Sequence, residues 1–168
     1  MFAEPLANVE ILPLEPAQDA VLANLFELYL HDMAEWFGFD LKADGRYGYE
    51  LTSGKTAYLI RVDGALAGFA LTHSAAPWLD EPDSMDVAEF FIVRRFRRHG
   101  LGAQVAAWLW DHHPARWLVR VYQANLPAVP FWRGTIAAYT NQAFTEERRI
   151  IDDKPWRFFA FDSQQPGS

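Results

Sequence analysis

The stretch "AEFFIVRRFRRHGLGAQVAAWLW", residues 88–110, decides how this chain is read. An apolar run rich in Phe, Ile and Val meets Arg94, Arg95, Arg97, Arg98 and His99. Two glycines follow, and then a segment rich in Ala and Trp. The aromatic and β-branched run favours a strand, while Leu101, Val105, Trp108 and Leu109 recur at helical spacing. The junction is therefore a strand that turns into a helix. Such a junction points unpaired backbone N–H groups outward and carries the positive end of the helix dipole, so it suits phosphate. Gly100 and Gly102 remove side chains that would keep an anion from the backbone. Arg97, Arg98 and His99 add mobile positive charge at the same rim. Arg97-x-x-Gly100-x-Gly102 reads as a pyrophosphate cradle. It is neither a Walker loop, which needs Gly-Lys-[Ser/Thr], nor a dinucleotide fingerprint, which needs a third glycine. The plain alternative is a solvated basic turn.

The rest of the composition narrows the field. The chain has 168 residues, is 51% hydrophobic and 15% aromatic, and carries a net charge of −7. One domain spanning 1–163 is expected, with 164–168 ("QPGS" and the residue before it) as a loose tail. An acidic chain is not expected to bind nucleic acid or an anionic membrane. The absence of cysteine excludes thiolate metal sites and a cysteine-linked acyl intermediate. "MFAEPLANVEILPLEP" lacks a basic n-region and a long apolar core, and no apolar run nears the roughly 20 residues that span a bilayer. These features predict a cytoplasmic protein.

Periodicity predicts a strand at 9–14 and a helix through "PAQDAVLANLFELYLHDMAEWF". A Gly/Asp-rich loop at 38–54, with a short helical turn in it, comes next. Two strands around Asp63-Gly64 follow, then the strand "DVAEFFIV" and its helix. "RWLVRVY" is a strand, Pro127 suits the first turn of a helix reaching about Asn141, and "AFTEERRIID" and "PWRFFAFD" form a closing strand pair. The order is that of a mixed α/β domain built around one sheet.

At this point a family resemblance emerges. "EFFIVRRFRRHGLGAQV" resembles motif A of the GNAT superfamily of acyl-CoA-dependent N-acyltransferases, and "LVRVYQANLPAVPFW" resembles its motif B. Asn125, Ala128 and Phe131 fall where motif B carries Asn, Ala and Phe. The resemblance implies a mixed, mostly antiparallel sheet flanked by helices, with the motif A and motif B strands splayed apart. It implies acetyl-CoA as co-substrate, with Phe91, Ile92 and Val93 pairing through their backbone with the pantetheine arm. The amides from Arg98 through Leu101 to Ala103, including His99, Gly100 and Gly102, would wrap the pyrophosphate beside Arg97. Asn125 and Phe131 would lie along the cofactor. Core packing is the plain reading of Phe91, Ile92, Val93 and Phe131.

The implied chemistry is attack of an amine on a thioester, for which a nearby carboxylate can serve as general base. Glu89 lies in the motif A strand, on one face with Phe91 and Val93, at a position where many members carry an acidic residue. Partial desolvation there would favour that role. The alternative for Glu89 is a charged residue paired with an arginine. Asp86 and Glu35 are next in line. Many members follow the motif B Phe with a Tyr that protonates the leaving thiolate, but this chain has Trp132. Tyr139 is the substitute acid, with Tyr122 behind it, and each also reads as a packing tyrosine. Asp111-His112-His113 has no third ligand, so no metal is expected.

The regions that hold the acceptor in such proteins are rich in acidic and aromatic residues here, among them Asp32, Glu35, Asp44, Glu50, Tyr49, Trp78 and Asp80. That suits a cationic amine, small or peptidic, although the whole chain is acidic. A homodimer is compatible with this reading. Two other functions compete with it. One is a CoA- or metabolite-binding module without turnover, toward which Trp132 leans. The other is a nucleic-acid binder using Arg94, Arg95, Arg97 and Arg98, which the lack of basic residues elsewhere disfavours.

Overall fold

In the computed structural model, which describes residues 8–74 and 81–163, the expected strands and the three long helices form. Seven strands make one mixed sheet in the order β1-β2-β3-β4-β5-β7-β6. They are β1 (Val9–Pro13), β2 (Thr56–Val62), β3 (Ala65–Ser74), β4 (Ser84–Ile92), β5 (Arg116–Tyr122), β6 (Thr145–Ile151) and β7 (Lys154–Asp162). The helices are α1 (Asp19–Phe37), α2 (Leu101–His112) and α3 (Ala128–Thr140). The chain forms two compact units. One takes the described parts of Met1–Leu71 with Glu89–Leu101, the other those of Thr72–Ala88 with Gly102–Ser168.

In the first unit, β1 pairs antiparallel with β2, and the hairpin from β2 to β3 turns at Asp63-Gly64 as expected. Helix α1 buries Leu22, Leu25, Phe26 and Leu30, a spacing of three and four that keeps them on one stripe. Phe26 and Tyr29 meet Phe69 edge-on at 5.0 and 5.5 Å, and Phe69 lies 5.7 Å from Phe91. Each such pair contributes about 0.5–1.5 kcal/mol beyond simple burial. Gly68 allows β3 to approach β4 closely: a Cβ there would stand 2.0 Å from the Phe91 carbonyl oxygen. Just beyond, the Val93 N–H donates to the Ala67 carbonyl at 2.8 Å.

In the second unit, the parallel ladder joins Ser84–Asp86 to Arg116–Leu118. β7 pairs antiparallel with both β5 and β6, from Arg116↔Asp162 to Tyr122↔Trp156 on one side and Thr145↔Ala160 to Ile151↔Lys154 on the other. The core holds Leu109, Trp110, Trp117, Ile136, Phe159 and Phe161, all essentially inaccessible. Asp86 is fully buried and accepts a hydrogen bond from Arg120 at 2.9 Å, which compensates the desolvation of its charge.

Two expectations changed in detail. The segment 38–54 holds turns and no helix. Its backbone is instead held by a side chain: the Glu27 carboxylate accepts from the N–H groups of Tyr47 at 2.7 Å and Gly48 at 3.0 Å. The strand run also stops one residue early, because Arg94–Phe96 form a short 3₁₀ turn before the basic corner. The expected tail, 164–168, lies outside the described residues.

Candidate active site

The site is built from the first unit. Glu89 sits near the middle of β4 with 19% of its side chain exposed. The Tyr29 hydroxyl donates to Glu89 Oε2 at 2.5 Å, and the Lys55 ammonium stands 3.6 Å from Oε1. Tyr29 is fixed in turn by ring contacts with Phe69 and with Phe91, the latter at 5.9 Å. Lys55 is presented by a turn in which its N–H donates to the Thr52 carbonyl at 3.0 Å. The Glu50 carboxylate tightens that turn by accepting from the Thr52 N–H and hydroxyl. Each oxygen of Glu89 thus has its own cationic or hydroxylic neighbour, and the carboxylate is held in one orientation.

Asp32 lies one helical turn beyond Tyr29, on the same side of α1. Its two oxygens accept from Arg94 at 2.7 Å and from Arg97 at 2.6 Å. Burial alone would raise the Asp32 pKa. The hydrogen bonds and charges of Arg97 and Arg94 outweigh it and hold the carboxyl below its ordinary value. Arg97 is also tied inward: its Nε donates to the Ile92 carbonyl at 2.7 Å, and its guanidinium lies over the Phe91 ring at 5.5 Å. The charge expected to be mobile at the rim is therefore an anchored strut at Arg97, while Arg98 and His99 are exposed. Helix α1 braces the β4 segment at both ends, Tyr29 on Glu89 and Asp32 on Arg97.

The corner has the backbone a cradle needs. Gly100 has φ +78, and nothing lies within 4 Å of where its Cβ would be. Glycine is required there by the left-handed conformation, not by crowding, and the space beside it is open. Arg98 also has a positive φ, of 64, so the corner carries left-handed backbone at both Arg98 and Gly100. Leu101 is buried and anchors the first turn of α2, which continues through Gly102 and Ala103. Phe91 and Ile92 are buried and end β4, while Val93 is half-buried and lies just past the strand, its N–H given to the Ala67 carbonyl. The residues fit an anionic cofactor at this corner.

The remaining expected residues belong to the second unit. The Asn125 N–H donates to the Tyr122 carbonyl at 2.9 Å, and its own carbonyl accepts from Ala128 at 3.1 Å, where α3 begins. Phe131 meets Trp132 edge-on at 5.0 Å. Trp132 is buried near Trp110, at 6.4 Å, so packing accounts for the indole at this position. Tyr139 donates its hydroxyl proton to Asp111 at 2.7 Å and lies 4.8 Å from the Trp110 ring. Burial and the Asp111 carboxylate push its pKa far above the ordinary value, which makes it a poor acid.

Beside α1, an open cleft of about 750 Å³ is lined by Leu22, Phe26, Lys42, Tyr49, Glu50 and Lys55, among others. The acidic residues that suggested a cationic acceptor are largely occupied within the chain. Glu50 holds the Thr52 turn, Asp44 accepts from the Arg46 N–H at 3.1 Å, and Asp32 holds the two arginines. Trp78 and Asp80 lie outside the described residues. Among the described residues no three His, Asp or Glu side chains cluster as a metal site would need, and no helix is long and apolar enough to cross a membrane.

Sequence reasoning missed Tyr29 as a partner of Glu89, and it missed Lys55, Glu27 and Gly68. Only Gly68 carried a local signal, as a lone glycine within a strand pattern. The others are met through contacts that join residues far apart in the chain.

Comparison with known proteins gives the family of the chain. The sequence pattern of the acetyltransferase (GNAT) family matches residues 22–135, and the chain belongs to that family. No curated protein sequence matches it. Among solved structures it resembles an acetyltransferase from Thermus thermophilus, with TM-score 0.67 and 17% identity, covering 94% of this chain and 99% of that one. An aminoglycoside acetyltransferase solved with coenzyme A matches with TM-score 0.64 and 16% identity, over 92% and 95% of the two chains. A spermidine N-acetyltransferase from Vibrio cholerae, solved with CoA and spermine, matches with TM-score 0.63 and 11% identity over 92% and 95%. At these identities the likeness speaks for the fold.

Proposed function

We propose that the protein transfers an acetyl group from acetyl-CoA to a primary amine by direct attack, with Glu89 as general base. The observation that carries this is the braced carboxylate: Glu89 is held by Tyr29 and Lys55 on the same β4 segment that leads into the Gly100 corner. Acetyl-CoA supplies the acyl group as an activated thioester. The backbone amides of Arg98–Ala103 receive its pyrophosphate, aided by the α2 dipole and the exposed charges of Arg98 and His99. The backbone of Phe91, Ile92 and Val93 lines the pantetheine path. The roles of Asn125 and Phe131 rest on the family resemblance alone.

An acceptor amine arrives protonated and must lose a proton before it can attack. Glu89 takes that proton on Oε1, the oxygen that the Tyr29 hydroxyl leaves to an amine. Tyr139 is assigned to packing, and the thiolate leaves without a dedicated side-chain acid. The burial of Trp132 against Trp110 gives that residue a structural reason, and a CoA- or metabolite-binding module without turnover is the alternative that the missing acid favours. The acceptor is a small amine. The structural neighbours solved with kanamycin and with spermine make amino sugars and polyamines the first to try, ahead of amino acids and peptide amino termini.

The test is Glu89→Gln. Acetyl-CoA affinity should be kept, because the cofactor meets backbone groups. Turnover should fall by roughly 10²–10⁴, the share of a positioned base. A stable variant with unchanged rate would move the base elsewhere.

A further inference from the structure

We propose that Lys55 is itself an acceptor, acetylated on Nζ by acetyl-CoA bound to the same molecule. The proposal rests on Glu89 acting as the base. Lys55 Nζ stands 3.6 Å from Glu89 Oε1, where an incoming ammonium must be to hand over its proton. The other oxygen, Oε2, is taken by the Tyr29 hydroxyl at 2.5 Å, so Oε1 is the oxygen that serves an amine. Lys55 is enclosed, with 15% of its side chain exposed, and its turn is closed through Thr52 and Glu50. It also forms part of the wall of the 750 Å³ cleft. The chain thus keeps a primary amine of its own against its own base.

The step balances. The Lys55 ammonium gives one proton to Glu89, and the neutral Nζ bonds to the acetyl carbonyl carbon. The carbon–sulfur bond breaks, and its electron pair leaves on sulfur. The nitrogen loses a second proton to water as the amide forms, the thiolate is protonated from solvent, and Glu89 returns its proton to solvent. One ammonium and one acetyl-CoA give one amide, one CoA thiol and one net proton.

The chain contains three lysines, and the other two, Lys42 and Lys154, are exposed. They are internal controls. Uncatalysed acetylation favours amines that are accessible, and an enclosed ammonium paired with a carboxylate is protected from it. The experiment incubates the intact protein with isotopically labelled acetyl-CoA, without added amine, and maps the label by peptide mass spectrometry. The expected result is label on Lys55 ahead of Lys42 and Lys154, none at that position in Lys55→Arg, and labelling slower by roughly 10²–10⁴ in Glu89→Gln. If Lys55→Arg does not fold, the Glu89→Gln arm decides. Lys55 unlabelled, labelled no faster than Lys42, or labelled equally in Glu89→Gln overturns the proposal. A parallel assay of CoA release with amines separates the causes. Release with Lys55 unlabelled removes this inference and leaves the proposed function. Neither release nor label, in protein that binds acetyl-CoA, removes both.

Discussion

The Gly100 corner and the Glu89 cluster stand on one short segment of chain, yet they are built in opposite ways. The corner is local. Its shape follows from a strand, a 3₁₀ turn at Arg94–Phe96, a left-handed Gly100 and the start of α2, all consecutive in sequence. The Glu89 cluster is assembled from three distant places: Tyr29 on α1, Lys55 before β2, and Glu89 on β4. The corner can therefore be read from spacing, whereas the cluster exists only once α1 has docked. Helix α1 joins the two, since Tyr29 and Asp32 brace opposite ends of the segment.

The largest expected effect comes from a change that should harm both regions together. Gly68→Ala would place a methyl group 2.0 Å from the Phe91 carbonyl oxygen, so β3 and β4 must part where the segment is pinned. Overpacking of this kind costs typically about 1–3 kcal/mol. Thermal melting should show the loss, and acetyl-CoA affinity and turnover should drop in the same sample. An unchanged melting temperature would mean that β3 does not set the position of the segment.

The next change should split the regions. Gly100→Val puts a β-branched side chain into a left-handed conformation, a strain of about 1–2 kcal/mol, and into the proposed phosphate path. Gly100→Asn fills the same space with a residue that tolerates this conformation. Both should weaken acetyl-CoA binding by calorimetry, while only the valine variant should melt noticeably lower. The Tyr29–Glu89–Lys55 contacts should survive in both. Retained affinity in a folded Gly100→Asn would show that phosphate does not pass there.

The smallest effect concerns the brace at the corner. The Asp32 carboxyl is held below its ordinary value of 3.8 by Arg97 and Arg94, despite partial burial. A depressed folded value means that the pair stabilises the protein above 3.8 and that this contribution is lost as pH falls through the folded value. Because both arginines are partly exposed, the contribution is up to about 1 kcal/mol. Asp32→Asn should be less stable than the parent at neutral pH, and the gap should close as the pH drops past 3.8 in denaturant titrations. A gap that stays constant across that range would assign Asp32 a packing role.

These contrasts explain what could be read from the sequence. The order of elements along the chain and the Gly100 corner were legible because short-range patterns determine them: alternation, helical spacing and glycine placement. Glu89 was found because it lies inside the motif. Tyr29 and Lys55 were not, since nothing near either one refers to β4. The acidic loop carries a structural role that its composition did not announce. Glu50 and Asp44 accept from backbone N–H groups of their own loop, contacts that composition alone does not reveal. Trp132 departs from the family's tyrosine, and only the fold shows that its neighbour Trp110 gives it a place in the core.

The central claim is that the protein turns acetyl-CoA over with a primary amine. It is tested most directly by following CoA release from acetyl-CoA with a panel of polyamines, amino sugars, amino acids and peptide amines. Acetyl-CoA binding is measured by calorimetry on the same preparation. The account predicts saturable CoA release with at least one primary amine and none with its tertiary analogue, which has no proton to give up after attack. Tight acetyl-CoA binding with no release from any amine would contradict it and leave a binding module in its place.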